Sequence, residues 1–213
     1  MDILYEAKKE VQREKLVHFY KAYGKYLISL FLITLICLVS YFWWQSYQEN
    51  IILEGADEYN KALSANKKDM VNRLEKLKEG KSIYASLAHL QLATIYINEK
   101  DFNKAIHNYE QFIGRKSINN LYLDYAKLML IKTKLVYHKI SNETAVKLFK
   151  EYLNHSTYFQ NIARIAISAL LANKSGNKEE ASSELNFIIT DINAPETLIS
   201  LAKIIQKRMN DSK

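Results

Sequence analysis

The hydrophobic pattern of this chain changes once, near its N-terminus, from a continuous apolar run to a periodic one. Residues 26–44 form nineteen successive positions without a charge, a proline or a glycine. As a helix rising about 1.5 Å per residue, this run extends about 28 Å, close to the roughly 30 Å of hydrocarbon in a bilayer. The pattern predicts one membrane-spanning helix followed by a domain in water.

A cleaved signal peptide and a buried helix of a soluble protein both fit the apolar run less well. A signal peptide has an apolar region of about 7–15 residues followed by small residues, whereas this longer run ends in Trp43 and Trp44 and is followed by Gln45, Ser46 and Tyr47. A buried helix would need apolar neighbours on every face, and no other segment of the chain is as apolar. We therefore expect an uncleaved signal anchor.

Basic residues near the span predict its orientation. Six Lys and Arg residues lie within the first 25 positions, whereas the first basic residue after the span is Lys61. Lys and Arg close to a span are retained on the cytoplasmic side. We expect the N-terminus in the cytoplasm and the C-terminal domain on the outer side. Aromatic residues lie at both ends of the run, Tyr23 and Tyr26 at one end and Trp44 and Tyr47 at the other, as is typical of the two membrane interfaces.

Beyond the span, apolar residues recur at intervals of three and four, the spacing of amphipathic helices. Polar breaks separate the periodic segments at 64–67, 79–82, 98–101, 114–120, 139–142, 154–157, 174–177 and 193–195. Asp101 and Ser141 lie at predicted helix starts, where a side-chain oxygen accepts hydrogen bonds from free backbone N–H groups. Five glycines and one proline in 213 residues are too few for sheets joined by tight turns. The predicted fold class is all-α.

One stretch shows a sharper alternation of small and bulky residues. Its small residues are Ala93 and Ala105, and its bulky ones are Leu92, Tyr96, Phe102, Tyr109 and Phe112. The pattern returns 40 residues later at Ala145, Phe149 and Tyr152, and 36 residues after that around Ala169, Gly176, Ala181, Leu185 and Ile188. It resembles the tetratricopeptide repeat, a helix-turn-helix unit of about 34 residues. A single hairpin would also fit a plain bundle, but the recurrence favours an α-solenoid of divergent tetratricopeptide-like hairpins. Segments 51–65, 68–79 and 197–209 are expected to cap this array.

The layout of a charged N-terminus, one span and degenerate repeats is similar to the bacterial YfgM-like family of ancillary Sec translocon subunits. At residue level the similarity rests on the segment from Tyr84 to Ala93, followed by Asp101, Phe102, Lys104 and Ala105. The resemblance implies a single-pass protein of the inner membrane with a periplasmic domain. It also implies a non-enzymatic role, in which the domain associates with the export channel and with exported chaperones or client proteins.

Charge and cysteine content limit the classes of partner. The net charge of +7 is spread over lysines interleaved with Glu and Asp, whereas nucleic-acid binding needs a concentrated basic stripe. The single cysteine, Cys37, lies inside the predicted span, so the outer domain has to fold without disulfides. We expect no nucleic-acid partner.

The sequence contains no constellation typical of an active site. The five histidines lack the spacing of metal ligands, and the five glycines do not cluster into a phosphate-binding loop. Cys37 lies within hydrocarbon without a base beside it, and the adjacent Glu179 and Glu180 point in different directions on a helix. We expect no enzymatic activity, no cofactor, no metal and no small-molecule substrate.

The resemblance to tetratricopeptide arrays implies where a partner would bind, because the first helix of each repeat lines the inner surface of such arrays. The candidate protein-binding residues are Leu90, Thr94, Ile97, Asn98, Lys127, Leu130, Lys134, Tyr137, His138, Leu170, Asn173 and Lys174. A surface that mixes Tyr and Leu with Lys suits acidic or amphipathic peptides.

The sequence leaves two functions open. The first is a membrane-tethered scaffold that recruits exported proteins or chaperones near the translocon. The second is a structural scaffold for envelope assembly or cell division that has no link to export. The predicted domains are a solvated cytoplasmic segment at 1–25, a signal-anchor helix at 26–46 and an exported repeat domain at 47–213. A repeat surface indicates binding without naming the ligand.

Overall fold

The computed structural model describes residues 2–116, 118–172 and 177–211. These residues form α1 (Asp2–Leu63), α2 (Lys67–Leu77), α3 (Ile83–Asn98), α4 (Phe102–Ile113), α5 (Asn120–Val136), α6 (Asn142–His155), α7 (Gln160–Ala172), α8 (Lys178–Thr190) and α9 (Glu196–Asp211). No strand occurs among them. The chain divides into two compact units, Met1–Leu53 and Glu54–Lys213. The prediction of an all-α fold is confirmed.

The first unit lies within α1 and contains the apolar run. Within Tyr23–Leu63 the mean hydropathy reaches 2.2, and this is the one helix of the described residues that is long and apolar enough to cross a bilayer. The described apolar side chains of the run are exposed, and Trp43 reaches 79%. Such a surface is stable where lipid replaces water.

The helix α1 is longer than the sequence pattern indicates. We expected a solvated extension over residues 1–25 and a separate helix from residue 51, whereas α1 continues from Asp2 to Leu63. No proline interrupts this stretch, and its two glycines, Gly24 and Gly55, cost only about 1 kcal/mol each without ending a helix.

The second unit is a stack in which each helix packs on the next, from α2 against α3 through α8 against α9, with α7 also touching α9. This neighbour-to-neighbour packing is typical of solenoids. One stripe recurs in the second helix of three hairpins, and all of its residues are buried: Ala105, Tyr109 and Phe112, then Ala145, Phe149 and Tyr152, then Ala181, Leu185 and Ile188. The predicted recurrence is therefore confirmed for these helices. Ala169 is exposed, and Gly176 lies outside the described residues.

Small residues and caps set the hairpin geometry. The Asp101 Oδ1 atom accepts a hydrogen bond from the Lys104 N–H at 3.2 Å, and the Ser141 Oγ atom accepts one from the Thr144 N–H at 3.2 Å. Both predicted helix caps are thus confirmed. At Gly55, any Cβ atom would lie 2.5 Å from the Ser82 Oγ atom, so glycine allows α1 to approach the start of α3.

Candidate binding groove

The first helices of successive hairpins line an apolar groove of about 360 Å³ in the second unit. Its walls come from α1, α3, α5 and the residue that precedes α7. The lining residues are Tyr59, Leu87, Leu90, Gln91, Thr94, Leu121, Tyr122, Tyr125 and Phe159. Four of these nine side chains are aromatic, and none of the nine carries a charge. The groove can therefore offer ring faces and hydroxyl groups to a partner.

Two ring contacts involve aromatic residues of the groove. The rings of Tyr59 and Tyr84 lie 5.8 Å apart between centroids, and the ring of Phe159 meets that of Tyr125 edge-on at 6.1 Å. Burial, and to a lesser degree the neighbouring Tyr122, raises the pKa of Tyr59 above its ordinary value. The Tyr59 phenol is therefore a neutral hydrogen-bonding group at physiological pH.

The loop between α6 and α7 positions Phe159, and a buried carboxylate on α5 holds that loop. The Asp124 Oδ2 atom accepts hydrogen bonds from the backbone N–H groups of Thr157 and Tyr158, at 2.9 and 3.1 Å. The Tyr152 hydroxyl donates to the Tyr158 carbonyl at 2.6 Å. Phe159 itself has a φ of 59°, in the left-handed region that non-glycine residues rarely adopt. Asp124 thus fixes a loop that carries one wall of the groove.

A close-packed apolar cluster adjoins the groove and shares Leu90 with its lining. Tyr109 is fully buried in a cluster with Leu90, Ala93, Phe112 and Ala126. Burial, with a smaller contribution from Tyr125, raises the pKa of Tyr109 to about 12. Because close-packed side chains resist displacement, the shape of the groove is largely preformed.

The structure brings only two of the candidate binding residues into the groove. Leu90 and Thr94 line it, and the Thr94 hydroxyl donates to the Leu90 carbonyl at 3.1 Å. Ile97 is half-buried between two apolar clusters, and Asn98 is exposed at the last position of α3. Leu130 is half-buried and packs against the cluster beneath the groove.

The remaining candidates lie on other surfaces. Lys127 lines a separate cavity beside α6, and Leu170 lines another between α6 and α8. Lys134 forms an ion pair with Glu110 of α4 at 2.7 Å. The Tyr137 ring packs at a tilt against that of Phe102, with 5.3 Å between ring centroids, while His138 is exposed in the turn after α5 with a φ of 56°. Asn173 and Lys174 lie outside the described residues. A binding role for this set stays a prediction.

Seven groove residues are absent from the predicted set: Tyr59, Leu87, Gln91, Leu121, Tyr122, Tyr125 and Phe159. A signal for some of them exists in the sequence. On α3, Leu87, Gln91 and Thr94 are spaced by four and three residues. On α5, the exposed residues Leu121 and Tyr122 precede Tyr125 by four and three residues. Phe159 has no such signal, because its place depends on the loop that Asp124 holds.

A larger cavity of about 710 Å³ lies between α1 and α2, and its lining is charged. Glu58, Asp69, Arg73 and Lys76 are among the residues that line it. Glu58 already pairs with Lys61 at 3.1 Å and contacts Arg73 at 3.7 Å. These charges largely compensate one another, so we expect a partner to bind less well in this cavity than in the uncharged groove. Among the described residues, no group of three or more His, Cys, Asp and Glu side chains could hold a metal ion.

Comparisons with known proteins agree with the helical stack. Residues 17–122 match the family described as tetratricopeptide repeat-like domain. No curated protein and no solved structure matches the chain. Together with the stacked hairpins and their recurring buried stripe, this match shows that the chain has a tetratricopeptide repeat-like helical domain, a type of domain that typically serves as a non-enzymatic scaffold for protein–protein interaction.

Proposed function

We propose that this protein is a membrane-tethered scaffold that binds other proteins through its repeat domain. The observation that carries the proposal is the presence, on one chain, of a tetratricopeptide-like stack with an open apolar groove and of a helix able to cross a bilayer. Confinement to a membrane surface raises the effective concentration of a binding domain for partners in the same layer, so even weak contacts become useful.

The proposed location is the bacterial inner membrane, with the N-terminus in the cytoplasm and the repeat domain in the periplasm. The excess of Lys and Arg before the apolar run supports this orientation. The proposed domain limits are 1–25 for the cytoplasmic segment, 26–46 for the anchor and 47–213 for the exported domain. The resemblance to YfgM-like proteins supports a role beside the export translocon, where the domain would link the channel to chaperones or newly exported clients.

A second candidate function is structural support of envelope assembly or cell division. The same groove and anchor would serve it, with a resident complex as partner in place of the export channel. The absence of charge from the groove favours neither candidate.

Crosslinking in intact cells tests the proposal. A membrane-impermeant crosslinker applied to the outer face is expected to join the full chain to translocon subunits or exported chaperones, identified by mass spectrometry. The matched control carries Tyr122→Ser, which removes an exposed groove ring and should reduce the yield of the same partners. Recovery of septal or envelope-assembly proteins instead, together with a fluorescent fusion concentrated at the septum, would favour the second candidate. Recovery of no specific partner would contradict the scaffold function.

A further inference from the structure

The groove differs from neighbouring surfaces of the repeat domain in one respect, its lack of charge. Its nine lining residues include no Asp, Glu, Lys, Arg or His. The cavity between α1 and α2 contains Glu58 and Arg73 among its lining residues, and the cavity beside α5 and α6 contains Lys127 and Glu151. Charged residues make up 25% of the chain, so a groove without any of them is distinctive. Such a groove favours uncharged partner segments over charged ones.

Two lysines of the predicted set, which would attract an acidic peptide, lie outside the groove. Lys127 belongs to the cavity beside α6, and Lys134 is paired with Glu110 at 2.7 Å. A carboxylate or ammonium group that entered the groove would lose water without meeting an opposite charge. Burying an unpaired charge costs several kcal/mol, whereas burying an aromatic or aliphatic side chain is favourable.

The groove also contains hydrogen-bonding partners for the backbone of a bound segment. Tyr59, Gln91, Tyr122 and Tyr125, whose hydroxyl and amide groups can donate and accept hydrogen bonds, are among its lining residues. An extended segment has unpaired backbone N–H and C=O groups that need such partners. A compact folded surface, whose backbone groups are already paired, would not use them.

We infer that the groove takes an extended, uncharged stretch of polypeptide with aromatic or aliphatic side chains, as an unfolded protein exposes. This inference rests on the proposed scaffold function and names the class of partner for the same site. It replaces the acidic or amphipathic peptides that the residue types of the predicted set suggest, because the structure places Lys127 and Lys134 outside the groove.

Site-directed photocrosslinking on the full chain in lipid nanodiscs tests the inference. The single cysteine, Cys37, is replaced by Ser, and a benzophenone is attached to cysteine in the Thr94→Cys variant, inside the groove. The control variant is Gln111→Cys, at an exposed position of α4 that does not line the groove. The probes are peptides of about ten residues, roughly 33 Å when extended. One contains Phe, Leu, Ser and Asn, and its two matched forms have Asp or Lys in place of Ser.

The expected result is crosslinking of the uncharged peptide from position 94 at a yield about tenfold above that of either charged form, which corresponds to about 1.4 kcal/mol. Position 111 should give background only. Tyr122→Ser should lower the yield several-fold, whereas Phe187→Ser should leave it unchanged, because Phe187 is a similarly exposed ring on α8 outside the groove.

Equal or better crosslinking of the Asp or Lys peptide, or equal yields from positions 94 and 111, would overturn the inference and leave the scaffold function standing. Conversely, selective capture of the uncharged peptide, combined with no specific partner in intact cells, would support the chemistry of the groove and contradict the proposed function. The two failures are therefore distinguishable.

Discussion

At the scale of single residues, two hairpin turns place long side chains where glycine is favoured. Lys100 has a φ of 61° and His138 a φ of 56°. In each turn the next residue donates its N–H to a carbonyl five positions back, Asp101 to Tyr96 at 2.8 Å and Lys139 to Lys134 at 2.9 Å. This is the hydrogen bond that closes a helix C-terminus around a left-handed residue. His138 therefore has a structural position as well as a predicted binding role.

We predict that His138→Gly stabilises the repeat domain. Relief of the left-handed strain should raise the free energy of unfolding by about 0.5 to 1 kcal/mol, after the entropy that glycine adds to the unfolded chain. Urea unfolding of the full chain in detergent, followed by helical circular dichroism, measures the change. Lys147→Gly, at an exposed interior position of α6, is the control and should lower stability by about 1 kcal/mol. A lower urea midpoint for His138→Gly would contradict the interpretation of the turn.

At the scale of elements, the second helices of the hairpins could be predicted well and the first helices less so. Helices α4, α6 and α8 each bury one stripe, as at Ala105, Tyr109 and Phe112, and the spacing of that stripe identifies their inner face. Helix α3 contains no Lys, Arg, Asp or Glu at all, and α5 has apolar residues on most of its faces. Periodicity cannot choose between the groove face and the packed faces of such helices. The predicted set therefore included Lys127 and Tyr137, which face elsewhere.

A second prediction concerns Asp124 and the loop that it holds between α6 and α7. Asp124→Ala leaves the N–H groups of Thr157 and Tyr158 without their carboxylate acceptor, and hydrogen bonds to charged groups contribute about 1.5–3 kcal/mol each. We expect a loss of about 3 kcal/mol in the free energy of unfolding, the lower end for two such bonds, measured by urea titration. Asp124→Asn keeps one acceptor oxygen and should lose less. If the alanine variant were as stable as the unmodified chain, the carboxylate would not hold the loop.

Another element contact joins the end of α2 to the end of α4 through a buried histidine on α3. The Arg115 guanidinium donates to the Gly80 carbonyl at 3.0 Å and to the Lys78 carbonyl, and it lies 3.3 Å from the His89 Nε2 atom. The His89 Nδ1 atom lies 2.9 Å from the Asn108 Oδ1 atom, while the Asn108 amide donates to the Lys104 carbonyl. Nδ1 must therefore donate, and Nε2 must accept from Arg115. This arrangement requires a neutral imidazole.

We predict that His89 makes the stability of the repeat domain depend on pH. Burial lowers the pKa of His89 from its ordinary value of 6.5, the charges of Arg115 and Lys78 lower it further, and the Asn108 hydrogen bond and Glu79 oppose them. The unfolded chain therefore binds a proton at this histidine more readily than the folded chain does. Neutral His89 stabilises the folded domain fully above about pH 6.5, and this stabilisation is lost as the pH falls toward the lowered pKa of His89. Besides Arg115, Lys78 and Glu79, Glu75 also faces this histidine.

Urea unfolding at a series of pH values between about 7 and 5 checks this dependence. His89→Gln should remove most of the slope in that range while keeping a hydrogen-bonding side chain. His107→Gln, at an exposed position of α4, should retain the slope of the unmodified chain. The same slope in all three proteins would exclude His89 as its source.

At the scale of the whole molecule, the chain combines two surfaces that need different surroundings. The apolar run exposes rings and aliphatic side chains such as Trp43 and Phe42, and this exposure is favourable where lipid replaces water. The repeat domain buries its apolar residues between successive helices and needs no lipid. The proposed tether rests on this combination, and the proposed orientation rests on the charges that flank the run.

The last prediction concerns that orientation. A protease added to cells stripped of their outer layer should degrade the C-terminal domain, because excess Lys and Arg retain the N-terminus in the cytoplasm. A variant with the six basic residues of the first 25 changed to Gln, and with Lys at Gln48, Glu49 and Asn50, should invert the chain and protect that domain. The matched control exchanges the N-terminal Lys and Arg for one another and should remain sensitive. Protection of the unmodified domain in sealed cells, with digestion only after lysis, would place it in the cytoplasm and exclude exported proteins as its partners.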